Sequence, residues 1–201
     1  MNKNIEHYVF QKENFLDEKY CEKCVNELSM CDWEKHDWYN SLSDLRNTPS
    51  GDNEPEVFSH YTRTAPHKQL QSTYFEKNEF IIQELYSLIQ EYIDKFKFDW
   101  FGGWTGYSEI KFIRYYPDQT MQNHCDHINS MFDGERKGIP VLSIIGILND
   151  DFEGGKLIMF EDRQIDTKKG DLLIFPSNFL YPHEITPVTK GVRYSYVSWV
   201  W

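Results

Sequence analysis

Three polar side chains able to bind a metal ion fall within the four residues "HCDH" at positions 124–127, namely His124, Asp126 and His127. In an extended segment, side chains at i and i+2 lie on the same face. His124 and Asp126 are therefore expected to point together, and Cys125 and His127 to point the other way. On this parity we interpret His127 as a surface group or a neighbour of the ligands, and not as a ligand.

A third ligand has to come from another part of the chain. Only one histidine follows residue 128, and it is His183 in "LYPHEIT". Two histidines and one carboxylate on one face of an octahedron suit non-heme Fe(II), because they leave positions open for substrate and oxygen. An ordinary structural histidine is the alternative, although Pro182 and the turn around it favour a ligand at 183.

The segment "GVRYSYVSWVW", residues 191–201, adds a cation to this set. The two-residue period of a strand gives one face to Arg193, Ser195, Val197, Trp199 and Trp201. A guanidinium inside a barrel requires an anionic partner, because an unpaired buried charge is costly. A carboxylate held by both arms of Arg193 would satisfy it. An iron site followed by a buried arginine describes a pocket for 2-oxoglutarate.

The segments that must position these residues are short and strand-like from residue 107 onward. Turn sequences such as "FDGERKG", "EGG" and "KKGD" separate them, and no helical period intervenes. Short strands with regular turns predict an all-β sandwich or barrel. The predicted strand segments are 107–116, 140–148, 154–161, 170–175 and 192–201.

Two helices are predicted before this β region. The first covers residues 14–30, and its apolar face consists of Leu16, Tyr20, Cys24 and Leu28. The second covers residues 74–96, and its apolar face consists of Ile82, Leu85, Ile89, Tyr92 and Phe96. A redox or zinc pair at Cys21 and Cys24 is an alternative, but a zinc site needs further ligands and none is evident. We therefore interpret both cysteines as helix positions facing the core.

Charge and composition restrict the partners. The net charge of −11 and the scattered basic residues argue against nucleic acid, whose binding draws on a clustered basic surface. No apolar run is long enough to cross a bilayer, and the N-terminal residues lack the apolar segment of a signal peptide. We therefore expect a cytoplasmic protein with reduced cysteines and no membrane partner, present as a monomer or homodimer.

Taken in order, the motifs resemble the catalytic core of the Fe(II)/2-oxoglutarate-dependent dioxygenases, in particular the prolyl 4-hydroxylase-like group. That pattern contains a tyrosine, H-x-D, a strand ending in "LN" and followed by "GG", a "KxGD" turn, a distal histidine and a basic residue. Its counterparts here are Tyr115, His124-x-Asp126, "ILNDDFEGG" (147–155), "KKGDLLIF" (168–175), His183 and Arg193. The resemblance implies a mainly β fold with N-terminal helices: a double-stranded β-helix, or cupin-like jelly roll, supported by a helical layer.

The resemblance also implies a role for each site residue. His124, Asp126 and His183 would hold Fe(II), and Arg193 would pair with the distal carboxylate of 2-oxoglutarate. Tyr115 and Ser143 would assist in binding that co-substrate, and Trp199 would line the pocket. Tyr115 and Trp199 as ordinary core aromatics are the alternative. Oxygen is the second co-substrate, and ascorbate is a further candidate cofactor.

The implied activity is hydroxylation of an unactivated C–H bond, with a peptidyl proline as substrate and with release of succinate and CO2. A hydroxylase of a small metabolite or of a non-proline side chain is the second interpretation. A cupin-like metal-binding module without turnover is a third, but such a module would need neither the intact triad nor Arg193.

Residues 1–201 are expected to form a single domain, because the length suits one core and no linker is evident. A helical support and loop region would cover 1–106, and the jelly-roll catalytic core would cover 107–201. The long segment 41–60 and the insertion 129–140 are candidates to close over an extended substrate.

Overall fold

The computed structural model describes residues 4–35, 71–74, 79–97, 104, 106–126 and 140–201. Within these residues the helices are a short 3₁₀ helix, Ile5–Tyr8, and two α-helices, α1 (Glu18–Ser29) and α2 (Glu79–Phe96). Within the described ranges, neither α-helix combines the length and the apolar character needed to cross a bilayer.

Seven of the described strands form one antiparallel sheet, which we call the major sheet. In spatial order its strands are β1 (Phe10–Lys12), β10 (Leu172–Pro176), β6 (Leu142–Ile147), β13 (Arg193–Val200), β4 (Lys111–Tyr115), β3 (Gln71–Tyr74) and β2 (Glu34–Lys35).

A second sheet of four strands faces it, and we call this the minor sheet. In spatial order its strands are β5 (Met121–His124), β11 (His183–Ile185), β8 (Leu157–Met159) and β9 (Arg163–Ile165). A short ribbon pairs β12 (Val188–Lys190) with β7 (Glu153–Gly154). The arrangement is a jelly roll, so the mainly β fold class that the sequence predicts is confirmed.

The major sheet is buried on both faces, which explains the continuous apolar run in β6. Ile144 packs with the helices in one core cluster, whereas Ile145 packs between the two sheets in another. Neighbouring strand residues point to opposite faces, so a strand covered on both sides has no position for a solvated side chain. Site residues that face the space between the sheets are therefore held by two packed layers.

Helix α1 confirms the interpretation of the two cysteines. Asp17 caps its first turn by accepting a hydrogen bond from the Tyr20 N–H at 2.8 Å. Cys21 and Cys24 are buried free thiols in the core cluster between the major sheet and the helices, which we call the helix-side core. Burial raises the pKa of Cys21 to about 12 and that of Cys24 to about 11. Both thiols are therefore protonated near neutral pH and act as small apolar side chains.

Helix α2 differs from its prediction in start and in face. It begins at Glu79, and Tyr74 instead ends strand β3. Ile81 is fully buried, whereas the predicted core residue Ile82 is 37% exposed. Ile81, Leu85 and Leu88 continue the face that reaches Tyr92, and Ile82 lies at its flank.

The N-terminal region also supplies strands, which the predicted helical layer did not include. β1, β2 and β3 all join the major sheet, with β1 at one edge and β2 at the other. β1 is tied to the "KKGD" turn by the buried carboxylate of Asp171. That carboxylate accepts hydrogen bonds from the Gln11 side chain at 2.9 Å and from the N–H groups of Asn14 and Lys168, both at 3.0 Å.

Candidate active site

The two histidines of the predicted triad lie opposite each other on neighbouring strands of the minor sheet. His124 ends β5 and His183 begins β11, and the strand register pairs these two residues directly. Asp126 follows just after β5. Its Oδ1 lies 3.4 Å from His124 Nε2 and 3.7 Å from His183 Nε2. One potential ligand atom from each residue lies within 4.8 Å of the others, a group we call the triad.

The hydrogen bonds of both imidazoles fit a metal centre. His124 Nδ1 lies 2.5 Å from the carbonyl oxygen of Gln122, and His183 Nδ1 lies 3.1 Å from that of Tyr181. A carbonyl can only accept, so each Nδ1–H donates and each Nε2 carries the lone pair. Both Nε2 atoms face Asp126. Carbonyl groups that fix the ring and the tautomer in this way are usual around metal-bound histidines.

The charge states also fit ligand binding. Burial lowers the pKa of His183 to about 4, so this imidazole is neutral near pH 7. Burial would raise the pKa of the Asp126 carboxyl, but the nearby His183 and His124 imidazoles and the Ser143 hydroxyl outweigh it and hold that pKa below its usual range. A neutral imidazole and an ionised carboxylate are the forms that bind metal. The donor set is the one that suits non-heme Fe(II).

Arg193 lies inside the jelly roll, as its strand parity predicts. It begins β13 opposite Tyr115 of β4, and it is only 2% exposed. Its Nη1 donates to the Ser195 hydroxyl at 2.8 Å, and its guanidinium carbon lies 5.0 Å from the centre of the Tyr115 ring. Burial lowers the pKa of Arg193, and Tyr115 opposes that shift.

This guanidinium has no carboxylate partner in the described part of the chain. None of the ion pairs there includes Arg193. Guanidinium groups carry five N–H donors, and the contact with Ser195 uses one of them. A buried charge of this kind is costly unless an anion neutralises it.

Tyr115 connects the arginine with the triad. Its ring is buried between the sheets, and burial raises the pKa of its phenol. The charge of Arg193 lowers that pKa and the charge of Asp126 raises it, so the phenol is within electrostatic reach of both groups. A ligand that extends from the triad to Arg193 would therefore pass Tyr115.

Ser143 and Trp199 lie toward the triad. Register pairs Trp199 with Ser143 across β13 and β6, near the end of β13 opposite to Arg193. The Ser143 hydroxyl is fully buried, lies 2.8 Å from the Ser177 hydroxyl, and lowers the pKa of Asp126. The structure thus places Ser143 beside the metal ligand rather than beside Arg193. Its predicted role in co-substrate binding stays a prediction, as does that of Trp199.

The site contains residues to which sequence reasoning gave no role. Asn149 and Gly155 belong to the quoted "ILNDDFEGG" motif, and Ser177 follows β10. A Cβ on Gly155 would lie 3.0 Å from the Cδ of Arg193, and Gly155 has a φ of +56°. In the sequence, the "ILNDDFEGG" motif was the signal that marked Asn149 and Gly155. Its spacing alone does not show that the motif contacts Arg193. His127 and the segments 41–60 and 129–139 lie outside the described residues.

The fold and the triad together define a jelly-roll protein with a candidate iron centre. Residues 110–201 match the family model described as the 2OG-Fe(II) oxygenase superfamily. This match, together with the PKHD-type relatives and the prolyl hydroxylase neighbours described below, confirms the resemblance carried by the motifs. The superfamily of this model is one that uses Fe(II), 2-oxoglutarate and O2, and the triad fits an iron site.

Curated relatives include PKHD-type hydroxylases from bacteria. The one from Idiomarina loihiensis is 34% identical over 96 residues, which are 46% of this chain and 42% of that protein. The one from Delftia acidovorans is 32% identical over 97 residues, or 44% of this chain and 41% of that protein. The matched segment thus spans about two fifths of the length of these relatives.

Solved structures share the fold over nearly the whole chain. A viral collagen prolyl hydroxylase from Paramecium bursaria Chlorella virus-1, solved with 2-oxoglutarate, has a TM-score of 0.62 at 16% identity and covers 96% of this chain and 94% of its own. A Pseudomonas putida prolyl-4-hydroxylase has a TM-score of 0.58 at 21% identity, with 96% and 91% covered. A Trichoplax adhaerens prolyl hydroxylase, solved with a peptide fragment of hypoxia inducible factor, has a TM-score of 0.62 at 18% identity, with 96% and 83% covered.

Proposed function

We propose that this protein is an Fe(II)- and 2-oxoglutarate-dependent dioxygenase that hydroxylates an unactivated C–H bond and releases succinate and CO2. One observation carries the proposal. A compact His/Asp/His triad and a buried guanidinium without a carboxylate partner among the described residues lie in the same jelly-roll interior. Bound Fe(II) would supply the activation of O2 that the attack on a C–H bond requires.

The chain's own residues would bind and orient the reactants. His124 and His183 would hold the metal through Nε2, since carbonyl oxygens occupy their Nδ1–H groups, and Asp126 would bind it through its carboxylate. Arg193 would hold the distal carboxylate of 2-oxoglutarate with the N–H groups that Ser195 does not use. The burial of Arg193 and Tyr115 would keep water away from that ion pair.

A proline residue in a peptide or protein is our proposed substrate. The fold likeness to three prolyl hydroxylases supports it, as does the match to PKHD-type hydroxylases. Beside the triad, the turn that leads into β11 exposes two apolar side chains, Phe179 at 69% and Leu180 at 45%. Apolar groups at the rim of a site suit an extended chain better than a small polar metabolite. Ascorbate, the lack of a nucleic-acid partner and a monomeric or homodimeric state stay predictions.

Succinate formation tests the proposal and separates it from a cupin-like binding module. The protein with Fe(II), 2-oxoglutarate and O2 is expected to form succinate, and Asp126→Ala with the same additions is the control. Mass spectrometry of a peptide library would then be searched for products that gain one oxygen atom. No succinate above the control would exclude the dioxygenase. Products confined to proline-free peptides would exclude the proline substrate alone.

A further inference from the structure

We propose that Asn149 is a positioning residue for Arg193, fixing the backbone on both sides of the arginine so that its side chain enters the jelly roll in one direction. This inference rests on the proposed role of Arg193 in binding 2-oxoglutarate. Asn149 follows the end of β6 and is buried, with 7% of its surface exposed.

One amide group bonds to both peptide groups that flank the Arg193 Cα. The Asn149 Nδ2 donates to the carbonyl oxygen of Val192 at 2.7 Å, and the Asn149 Oδ1 accepts from the N–H of Tyr194 at 2.7 Å. The Val192 carbonyl belongs to the peptide group before Arg193, and the Tyr194 N–H belongs to the one after it. Rotation about either backbone bond of Arg193 would therefore break one of these hydrogen bonds.

The chemistry of the position suits asparagine in particular. The second N–H of Nδ2 donates to the Asp151 carboxylate at 2.6 Å, so both amide hydrogens and the amide oxygen are used. A carbonyl can only accept and an N–H can only donate, so the reversed amide would lose both contacts with the β13 backbone. Aspartate keeps the acceptor and loses the donor, and alanine loses both. Burial means that water replaces these bonds poorly.

β4 pairs with this end of β13 on one side, but on the β6 side the strand register begins only at Ser195. The Leu148 N–H donates to the Tyr194 carbonyl at 3.1 Å, and the Tyr194 N–H then bonds to the Asn149 side chain instead of a strand carbonyl. The amide therefore extends the β6–β13 ladder to the residue that carries the charge. Gly155 completes the support, because a Cβ there would press on the Arg193 Cδ at 3.0 Å. The "ILNDDFEGG" segment thus packs against the backbone and the aliphatic part of Arg193.

Asn149→Ala and Asn149→Asp test this role in binding experiments on the Mn(II)-loaded protein. We expect Asn149→Ala to weaken 2-oxoglutarate binding by about tenfold or more, because small misplacements of a binding group are that costly. Asn149→Asp should also weaken binding, because it keeps the acceptor for the Tyr194 N–H but turns a carboxylate oxygen toward the Val192 carbonyl and the Asp151 carboxylate. Mn(II) affinity should stay within about twofold of wild type, which is a small change beside the tenfold steps that ligand geometry produces. Isothermal titration calorimetry measures both constants.

Asp171→Ala is the matched control. Asp171 is also buried and also bonds to backbone N–H groups, but at the β1 edge of the major sheet. The Asp171→Ala substitution should lower the free energy of unfolding without changing 2-oxoglutarate affinity. Equal loss of 2-oxoglutarate affinity in Asp171→Ala and Asn149→Ala would show a general stability effect and overturn the proposal. If Asn149→Ala does not fold, Asn149→Asp decides, and wild-type 2-oxoglutarate affinity in that variant also overturns it.

A second measurement requires neither metal nor turnover. In a ¹⁵N NMR spectrum of the metal-free protein, the Arg193 Nε–H signal is assigned by its absence in Arg193→Met. We expect this signal to move or broaden in Asn149→Ala and to stay in place in Asp171→Ala. An unmoved signal in both variants contradicts the positioning role. If Arg193→Met binds 2-oxoglutarate like wild type, the proposed function fails; if it loses that affinity and Asn149→Ala does not, only this inference fails.

Discussion

At the scale of single residues, the backbone carbonyls behind the two imidazoles prepare the triad for a metal. Each carbonyl takes the Nδ1–H, so both Nε2 atoms face the Asp126 carboxylate. These contacts are local in sequence, because Gln122 and Tyr181 each lie two residues before the histidine that they orient. All three side chains are needed, because a single ligand does not fix the position of a metal ion.

Replacing any member of the triad should abolish Fe(II)-dependent turnover. For His124→Ala, Asp126→Ala and His183→Ala we expect a large fall in Mn(II) affinity. It should exceed the roughly 10- to 100-fold loss that is typical when a residue hydrogen-bonded to a metal ligand is replaced. Circular dichroism should still show the wild-type fold. His127→Ala is the comparison, and its sequence parity predicts that most activity is retained. Full activity in one of the triad variants would remove that residue from the site.

Ser143 provides a finer test at the same scale. Its hydroxyl lowers the pKa of Asp126 and lies 2.8 Å from the Ser177 hydroxyl, so Ser143→Ala removes a group that favours the ionised form of a metal ligand. We expect Mn(II) affinity to fall by roughly tenfold. Ser198→Ala is the matched control, because Ser198 is equally buried in the major sheet but bonds to the Ser108 carbonyl instead. Similar Mn(II) affinities in the two variants would show that Ser143 does not act through Asp126.

At the scale of elements, strand β13 separates two tasks by face. Arg193, Ser195 and Val197 face the space between the sheets, whereas Tyr194, Tyr196 and Val200 face the helices. The first face carries the charge chemistry, and the second contributes to the core that supports it. Substitutions on the helix side should therefore change stability with little direct effect on the site.

Two buried tyrosines of the helix-side core test this division. The Tyr92 hydroxyl donates to the Tyr8 carbonyl at 2.9 Å, whereas the Tyr196 hydroxyl has no hydrogen-bond partner among the described residues. Tyr92→Phe should lower the free energy of unfolding by about 1 kcal/mol, because it removes a buried hydrogen bond. Tyr196→Phe should be neutral or stabilising, since it removes a buried polar atom. Urea denaturation measures both, and a larger loss in Tyr196→Phe would contradict the assignment.

Strand parity was the part of the site that the sequence could predict. The i and i+2 pattern was enough to turn Arg193 inward. His124 and Asp126 also lie together as predicted, although β5 ends at His124 and Asp126 lies beyond it. β1 could not be predicted in the same way, because "FQK" has no alternation of its own and becomes a strand only by pairing with β10. The error at Ile82 has a similar cause: the helical period allowed two neighbouring faces, and packing against the sheet selected the one with Ile81. Asn149 was hidden because its role depends on contacts with β13.

At the scale of the whole molecule, we propose a single domain in which the two halves share one sheet. β1, β2 and β3 come from the N-terminal part, and α1 and α2 pack on the sheet face opposite to the site. The metal ligands, by contrast, come from β5 and from the start of β11 in the minor sheet. A bound metal would thus link β5 and β11 of the minor sheet.

Metal binding should therefore stabilise the protein locally. At a free Mn(II) concentration of 100 times Kd, the free energy of unfolding should rise by about 2.7 kcal/mol. Among amides that exchange by local opening, those of β5 and β11 should gain the most protection from hydrogen exchange, with little change in α2. Asp126→Ala serves as the control that lacks a ligand. Protection spread evenly over the described strands and helices would contradict a cross-link confined to the minor sheet.

The most direct measurement of the central claim is the 2-oxoglutarate dependence of succinate formation in Arg193→Met. Methionine keeps much of the length but removes the charge, so the apparent KM for 2-oxoglutarate should rise steeply. Truncating a buried charge pair costs on the order of 2–5 kcal/mol, which is roughly 30- to several-thousand-fold in affinity. Arg193→Lys should be milder because it keeps the charge, and metal affinity should survive both changes. An unchanged 2-oxoglutarate dependence in Arg193→Met would contradict the assignment of Arg193 and, with it, the dioxygenase function.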